Sequence, residues 1–301
     1  MTEYPADVVE APRQTLLRDS TLPLWRELGM WREWIDLRQS AIYRGVGVPR
    51  GHGQVVILVP GFLGSDGSLS EMRRWLVRIG YRVLPSGIDR NMDCPDVTLA
   101  RLIEAAEAGA QLGGARVKLI GHSLGGTLSR AVAVRRPDLI GQVITLASPI
   151  HEIVAHPFVI TIARFLESHL PSPDEHPRRH GNHFHDGSCS CDTLDALSRP
   201  FPKDVARTAI YTRSDGVIDW QSAREDDPEM NIEVQGSHLG LIVNREVYQA
   251  IGQLLPTGHD REIEREVAKK KLHRPAKHVT IPAGRGADVG KTRRQLRDRT
   301  I

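Results

Sequence analysis

One serine stands between two glycines directly after an aliphatic strand, in Lys118-Leu119-Ile120-Gly121-His122-Ser123-Leu124-Gly125-Gly126. A chain that turns from strand to helix within one residue strains the backbone of the corner residue, and glycines two places to either side leave room for that corner. The strain lifts the Ser123 hydroxyl out of the sheet. The context this G-x-S-x-G pattern requires follows at once. Leu124 to Arg135 reads as a helix, with small residues Gly125, Gly126, Ala131 and Ala133 where it must lie close on the sheet. A strand that feeds a helix in this way points to a layered α/β architecture.

The rest of the chain repeats that alternation. Val55-Val56-Ile57-Leu58-Val59 is a continuous β-branched run closed by Pro60-Gly61, the signature of a strand buried on both faces of a parallel sheet. A helix is expected from Leu69 to Ile79 before Gly80, a strand over Tyr81 to Pro85 and a helix over Thr98 to Ala108. Val117 to Ile120 leads into the serine corner, and Gln142 to Leu146, Thr208 to Thr212 and Ile232 to Val234 complete the strands. Strands and helices at this pitch predict a three-layer α/β domain around a mostly parallel central sheet, over residues 52–256. Ahead of it, in a helical extension over residues 1–51, Leu24, Trp25, Leu28, Trp31, Ile35 and Leu37 recur near helical spacing. Packing against the domain is the expectation for this amphipathic stretch, and an interfacial membrane anchor the alternative.

Pro149 to Pro202 breaks the alternation. It carries seven prolines and no clear strand where a short crossover would suffice, so an inserted cap is expected over about 150–202, at the carboxyl edge of the sheet above Ser123. Within it, Val159, Ile160, Ile162, Phe165 and Leu166 form a short apolar helix that either lines an acyl pocket or packs on the domain. The cap also holds His176, His180, His183, His185, Cys189 and Cys191. Their spacing lacks the regular pairs of structural zinc sites, so a polar loop is expected and no metal is assigned.

Charge is unevenly spread. The net +3 of the 301 residues conceals a tail from His259 to Ile301 with thirteen Lys and Arg against six Asp and Glu, which leaves the remainder at −4. Residues 257–301 therefore read as a basic, solvated extension, with contact to an anionic membrane as its alternative use. No aromatic residue interleaves those basic ones, which argues against nucleic acid as a partner. Met1 to Asp7 has neither a basic nor an apolar leader segment, no run is long enough to span a bilayer, and three cysteines cannot all pair, so a reducing cytoplasmic location is expected.

A serine hydroxyl is a weak nucleophile at neutral pH and needs a histidine to take its proton and a carboxylate to orient that histidine. Ser214-Asp215-Gly216-Val217-Ile218-Asp219 places Asp215 just past a strand, and Asp219 four residues further on is the weaker candidate acid. Gly236-Ser237-His238-Leu239-Gly240 places His238 in the loop after the last strand, where it can reach back over Ser123. His122, beside the serine, is expected to point away from the attack site. For the tetrahedral oxyanion, the expected donors are the backbone N–H of Leu124 and that of Phe62 in Pro60-Gly61-Phe62-Leu63-Gly64, with Leu63 the second choice.

Together the strand with Pro60-Gly61-Phe62-Leu63-Gly64, the serine corner, the Asp215 loop and the His238 loop resemble an α/β-hydrolase of the bacterial lipase and esterase type, over about Gly53 to Leu255. The resemblance implies a serine hydrolase of carboxylic esters that forms an acyl-enzyme, without cofactor, with Ser123, Asp215 and His238 as its triad and a small acyl ester as its partner. Acyl transfer and thioester hydrolysis use the same triad and stand as alternatives. So does a silent hydrolase fold that binds a lipid or a protein.

Overall fold

The computed structural model describes residues 17–19, 24–150, 153–155 and 192–256. Among the described residues the core is a six-stranded sheet of β2 (Val55–Val59), β3 (Arg82–Leu84), β4 (Val117–His122), β5 (Ile140–Leu146), β7 (Ala206–Tyr211) and β8 (Asn231–Glu233). Their spatial order is β3-β2-β4-β5-β7-β8 and every neighbouring pair is parallel. A separate parallel pair joins β1 (Leu17–Asp19) to β6 (Ile153–Ala155). The six strands of the sheet fall where the apolar runs predict them, with ends differing by a residue or two, whereas β1 and β6 lie in stretches read as helical extension and strand-free cap. The helix expected over Thr98 to Ala108 is longer, extending as α3 over Pro95–Gly113, because Pro95 opens its first turn and Gly114, at φ 64°, closes it.

Both faces of the sheet are covered, and the alternation of side chains along a strand decides which residue meets which layer. Val56 and Leu58 of β2 join Met72, Trp75 and Leu76 of α2 (Ser70–Arg78), Leu37 of α1 (Met30–Gln39) and Val247, Tyr248 and Ile251 of α6 (Arg245–Leu254). Val55, Ile57 and Val59 face the other way, toward Leu99 and Leu102 of α3, Leu128 and Val132 of α4 (Leu124–Arg135) and Ala196 of α5 (Asp192–Ser198). This two-sided burial explains why the central strands read as unbroken apolar runs.

The strand order brings the functional loops together. Parallel strands all point their carboxyl ends to one edge, and β2, β4, β7 and β8 therefore deliver the Pro60 loop, Ser123, the Asp215 loop and the His238 loop to that same edge.

The amphipathic N-terminal stretch divides into a 3-10 helix, Leu24–Gly29, followed by α1. Leu37 is fully buried and Trp34 packs on the core, as expected for packing on the domain, yet Trp25 and Trp31 are 70% and 65% exposed and Leu28 and Ile35 are exposed with them. The packing expectation thus holds for only one side of the stretch. The cap residues 156–191, including the His/Cys cluster, and the tail 257–301 lie outside the described residues.

The approach of α4 to the sheet generates a stability prediction. A Cβ on Gly125 would overlap the Val59 carbonyl oxygen, whereas one on Gly67, at an exposed turn, would meet nothing nearer than 3.4 Å. Gly125→Ala should lower the unfolding free energy by about 3 kcal/mol in urea titrations, against under about 0.5 kcal/mol for Gly67→Ala.

Candidate active site

Ser123 caps α4 with φ 52° and ψ −127°, a conformation that L-residues avoid and that only an over-determined corner can hold. Main-chain hydrogen bonds supply the constraint. Its N–H donates to Leu146 O at 2.8 Å, and its own carbonyl accepts from Gly126 N at 2.9 Å. The flanking glycines are there for space, since a Cβ on Gly121 would strike the Gly126 backbone. Leu124, at the first position of α4, heads the set of amides that have no carbonyl partner within a helix.

The Asp215 and His238 loops meet at the same edge of the sheet. His238 Nδ1 lies 2.8 Å from Asp215 Oδ2, and both residues are 2% exposed. Asp215 Oδ1 meanwhile accepts from Val217 N at 2.8 Å and Ile218 N at 2.9 Å, so its carboxylate cannot swing away from the imidazole. Asp219 is committed elsewhere: it caps a 3-10 turn by accepting from Gln221 N at 3.0 Å. The Thr212 hydroxyl donates to Gly236 O at 2.8 Å and ties the end of β7 to the base loop. Among the described residues, Ser123 Oγ is not joined to His238 by a hydrogen bond within 3.5 Å.

His122 lies against the His238 loop. Its ring packs 4.9 Å from the His238 ring, and its Nε2 lies 3.0 Å from His238 O, a geometry in which an Nε2–H donates to the carbonyl. Gly61 leaves room for it: a Cβ there would sit 3.0 Å from His122 Nδ1 and 3.0 Å from Ser123 Cβ. The residue next to the serine thus forms a wall beside His238.

The Pro60 loop is held by a residue that sequence reasoning missed. Asn91, 1% exposed, donates its side-chain amide to Pro60 O at 2.7 Å, its N–H to Gly64 O at 2.9 Å, and accepts Leu63 N–H at 3.0 Å. Leu63 takes a left-handed φ of 58° in this clamp, and its amide is spent on Asn91. That removes the second choice of oxyanion donor. An asparagine in a polar loop is an ordinary turn residue by sequence, so nothing in the chain singled out Asn91.

The sequence matches the family model of the alpha/beta hydrolase fold over residues 29–165. Together with the parallel sheet, this decides the fold. The chain has the α/β-hydrolase fold. Similar solved structures include a metagenomic carboxyl esterase (16% identity, TM-score 0.49, 85% of this chain and 97% of that one) and a carboxylesterase of Bacillus subtilis (16%, 0.42, 74% and 97%). A monoacylglycerol lipase of Paleococcus ferrophilus is similar at 18% identity, with a TM-score of 0.44 over 67% of this chain and 95% of that one. No curated protein matches the sequence. No helix among the described residues is long and apolar enough to cross a membrane, and none of their His, Cys, Asp and Glu side chains form a metal-binding group.

Within this α/β-hydrolase fold the two buried histidines are pushed in opposite directions. Burial lowers the pKa of His238, but the charge and hydrogen bond of Asp215 and the charge of Glu27 outweigh it and hold the imidazole above its ordinary value. For His122, burial and the neighbouring His238 prevail over the carbonyl contact and Asp215, and its pKa falls to about 3. His122 stays neutral while His238 titrates.

The signs of these shifts set a pH dependence. The folded protein resists protonating His122, so its contribution to stability is complete above 6.5, the ordinary value, and is lost as pH falls toward 3. His238 works in reverse, its contribution being complete below 6.5 and lost as pH rises through its raised value. Urea unfolding at pH 7 and pH 5 should show stability falling toward acid by up to about 1.4 kcal/mol per pH unit from His122, and His122→Gln should flatten that slope.

Proposed function

We propose that this α/β-hydrolase is a serine hydrolase that cleaves carboxylic esters through an acyl-enzyme intermediate. The observation that carries the reading is the fully buried Asp215–His238 pair at 2.8 Å on the sheet edge where Ser123 turns outward. Ser123 Oγ attacks the ester carbonyl carbon and His238 Nε2 takes its proton. Asp215 keeps the Nδ1 proton in place and stabilises the imidazolium. The negative charge on the carbonyl oxygen is received by the amides of Leu124 and Phe62. Collapse of the tetrahedral intermediate breaks the ester C–O bond, and the imidazolium returns its proton to the departing alcohol. Water, deprotonated by the same imidazole, then attacks the acyl carbon; collapse breaks the acyl–Ser123 Oγ bond, the acid leaves and the imidazolium returns its proton to Oγ.

His238 must be neutral to accept the proton, and its pKa is raised, so kcat/KM for a soluble p-nitrophenyl ester should rise with pH along an acid limb lying above 6.5. Ser123→Ala should reduce turnover of that ester at least about 10³-fold with an unchanged circular dichroism spectrum. A fluorophosphonate probe should label the native chain and not Ser123→Ala. Retained turnover or labelling in the variant would refute the assignment. A profile across short and long acyl chains, with triolein added, separates a lipase from a carboxylesterase.

A further inference from the structure

The loop that bears His238 is held from outside by two carboxylates of the N-terminal stretch. Glu27, half-buried in the 3-10 helix, accepts from Gly216 N at 3.0 Å and His238 N at 3.1 Å with Oε1, and from Leu239 N at 2.7 Å with Oε2. Gly216 directly follows Asp215, so one carboxylate bridges the acid loop and the base loop. Glu33 of α1 accepts from Ser237 N at 2.8 Å and Ser237 Oγ at 2.9 Å, and its other oxygen accepts from Asn244 Nδ2 at 2.7 Å. The glycines that bracket Ser-His-Leu make room for it. A Cβ on Gly236 would lie 2.5 Å from Glu33 Oε2, and one on Gly240 would overlap the same carboxylate.

The two glutamates divide the work. Glu33 shapes the loop through Ser237 and Asn244, whereas Glu27 bonds the main chain of His238 itself. The charged and titratable groups that face His238 are Asp215 from the acid loop, Glu27 from the N-terminal stretch and His122 from the end of β4. His122 is held neutral, and Glu33 acts one residue away. Glu27 is therefore the second negative charge available to the imidazolium, behind Asp215. Hydrogen bonds from amides to a carboxylate are stronger than those to a neutral acceptor, which suits a tie across two loops.

We propose that Glu27 is a positioning residue for the base: its carboxylate ties the Asp215 and His238 loops together, and its charge stabilises the imidazolium formed when Ser123 gives up its proton. The proposal rests on the triad reading above. Glutamine at position 27 can still accept from Gly216 and His238, but its NH2 cannot accept from Leu239, and it carries no charge.

In the full chain, Glu27→Gln should lower kcat for a short soluble ester about 10-fold or more, while KM changes less than about twofold. The acid limb of kcat/KM should move to lower pH by about 0.5–1 unit, because a carboxylate that favoured the charged imidazole is gone. Glu33→Gln should slow turnover without moving that limb. NMR titration of the His238 imidazole in the Ser123→Ala background gives a readout without turnover, and adding Glu27→Gln should shift it in the same direction. Glu27→Met, of similar length and uncharged, repeats the test if the amide variant does not fold. A limb and an imidazole titration at their native positions would overturn the proposal and leave Glu27 a structural brace. Failure of the native chain to turn over ester or react with fluorophosphonate would instead strike the triad reading, while the NMR titration would still decide the link from Glu27 to His238.

Discussion

Close contact between the first turn of α4 and the ends of β2 and β4 is the constraint on which the rest of this structure depends. The contact exists because Gly121, Gly125 and Gly126 have no side chains: one faces the backbone of another, and Gly125 meets the Val59 carbonyl. Only at that distance can the chain pass from strand to helix through one strained residue, and only then does Ser123 stand clear of the sheet. The same approach brings the Gly61 turn against His122 and Ser123. The Pro60 loop, the His122 wall and the serine corner are thus one packed unit, with Asn91 closing its outer side.

Electrostatics at the edge follow from burial without water. Two imidazoles 4.9 Å apart cannot both be charged in such a place, and the nearby carboxylates decide which one is. Asp215 lies on His238, Glu27 adds to it, and His122 offers its ring nitrogen to a carbonyl instead. The neutral partner then supports the titrating one by contact alone. This arrangement separates the roles of two chemically identical side chains that the sequence presents as equals.

Legibility along the chain tracks the range of the forces involved. Buried parallel strands show as apolar runs, because both faces of each residue pair meet hydrophobic layers, and β2 and α4 were readable to the residue. Asp215 was separable from Asp219 by its distance from the strand end; Asp215 lies on His238 and Asp219 caps a 3-10 turn. Glu27, Glu33 and Asn91 were not readable. Each is an ordinary polar residue by pattern, and each acquires its role from amides that lie far along the chain, at a separation of 189 residues for Glu27 and Gly216. The exposed Trp25 and Trp31 were equally opaque, since helical spacing records that a stripe is apolar and not which part of it meets the core.

The sequence by itself determined the architecture and the order of its candidate site residues: apolar runs of strand length, glycines around one serine, and an aspartate and a histidine each placed after a strand. Those are local signals, written by steric and hydrophobic rules that act within a few residues. Tertiary structure alone decided the direction of the His122 ring, the commitment of the Leu63 amide to Asn91 and the hold of the N-terminal glutamates on the base loop. Hydrogen bonds and charges of this kind depend on distance in space, and the distance is set only when the parallel strands bring their carboxyl ends to one edge.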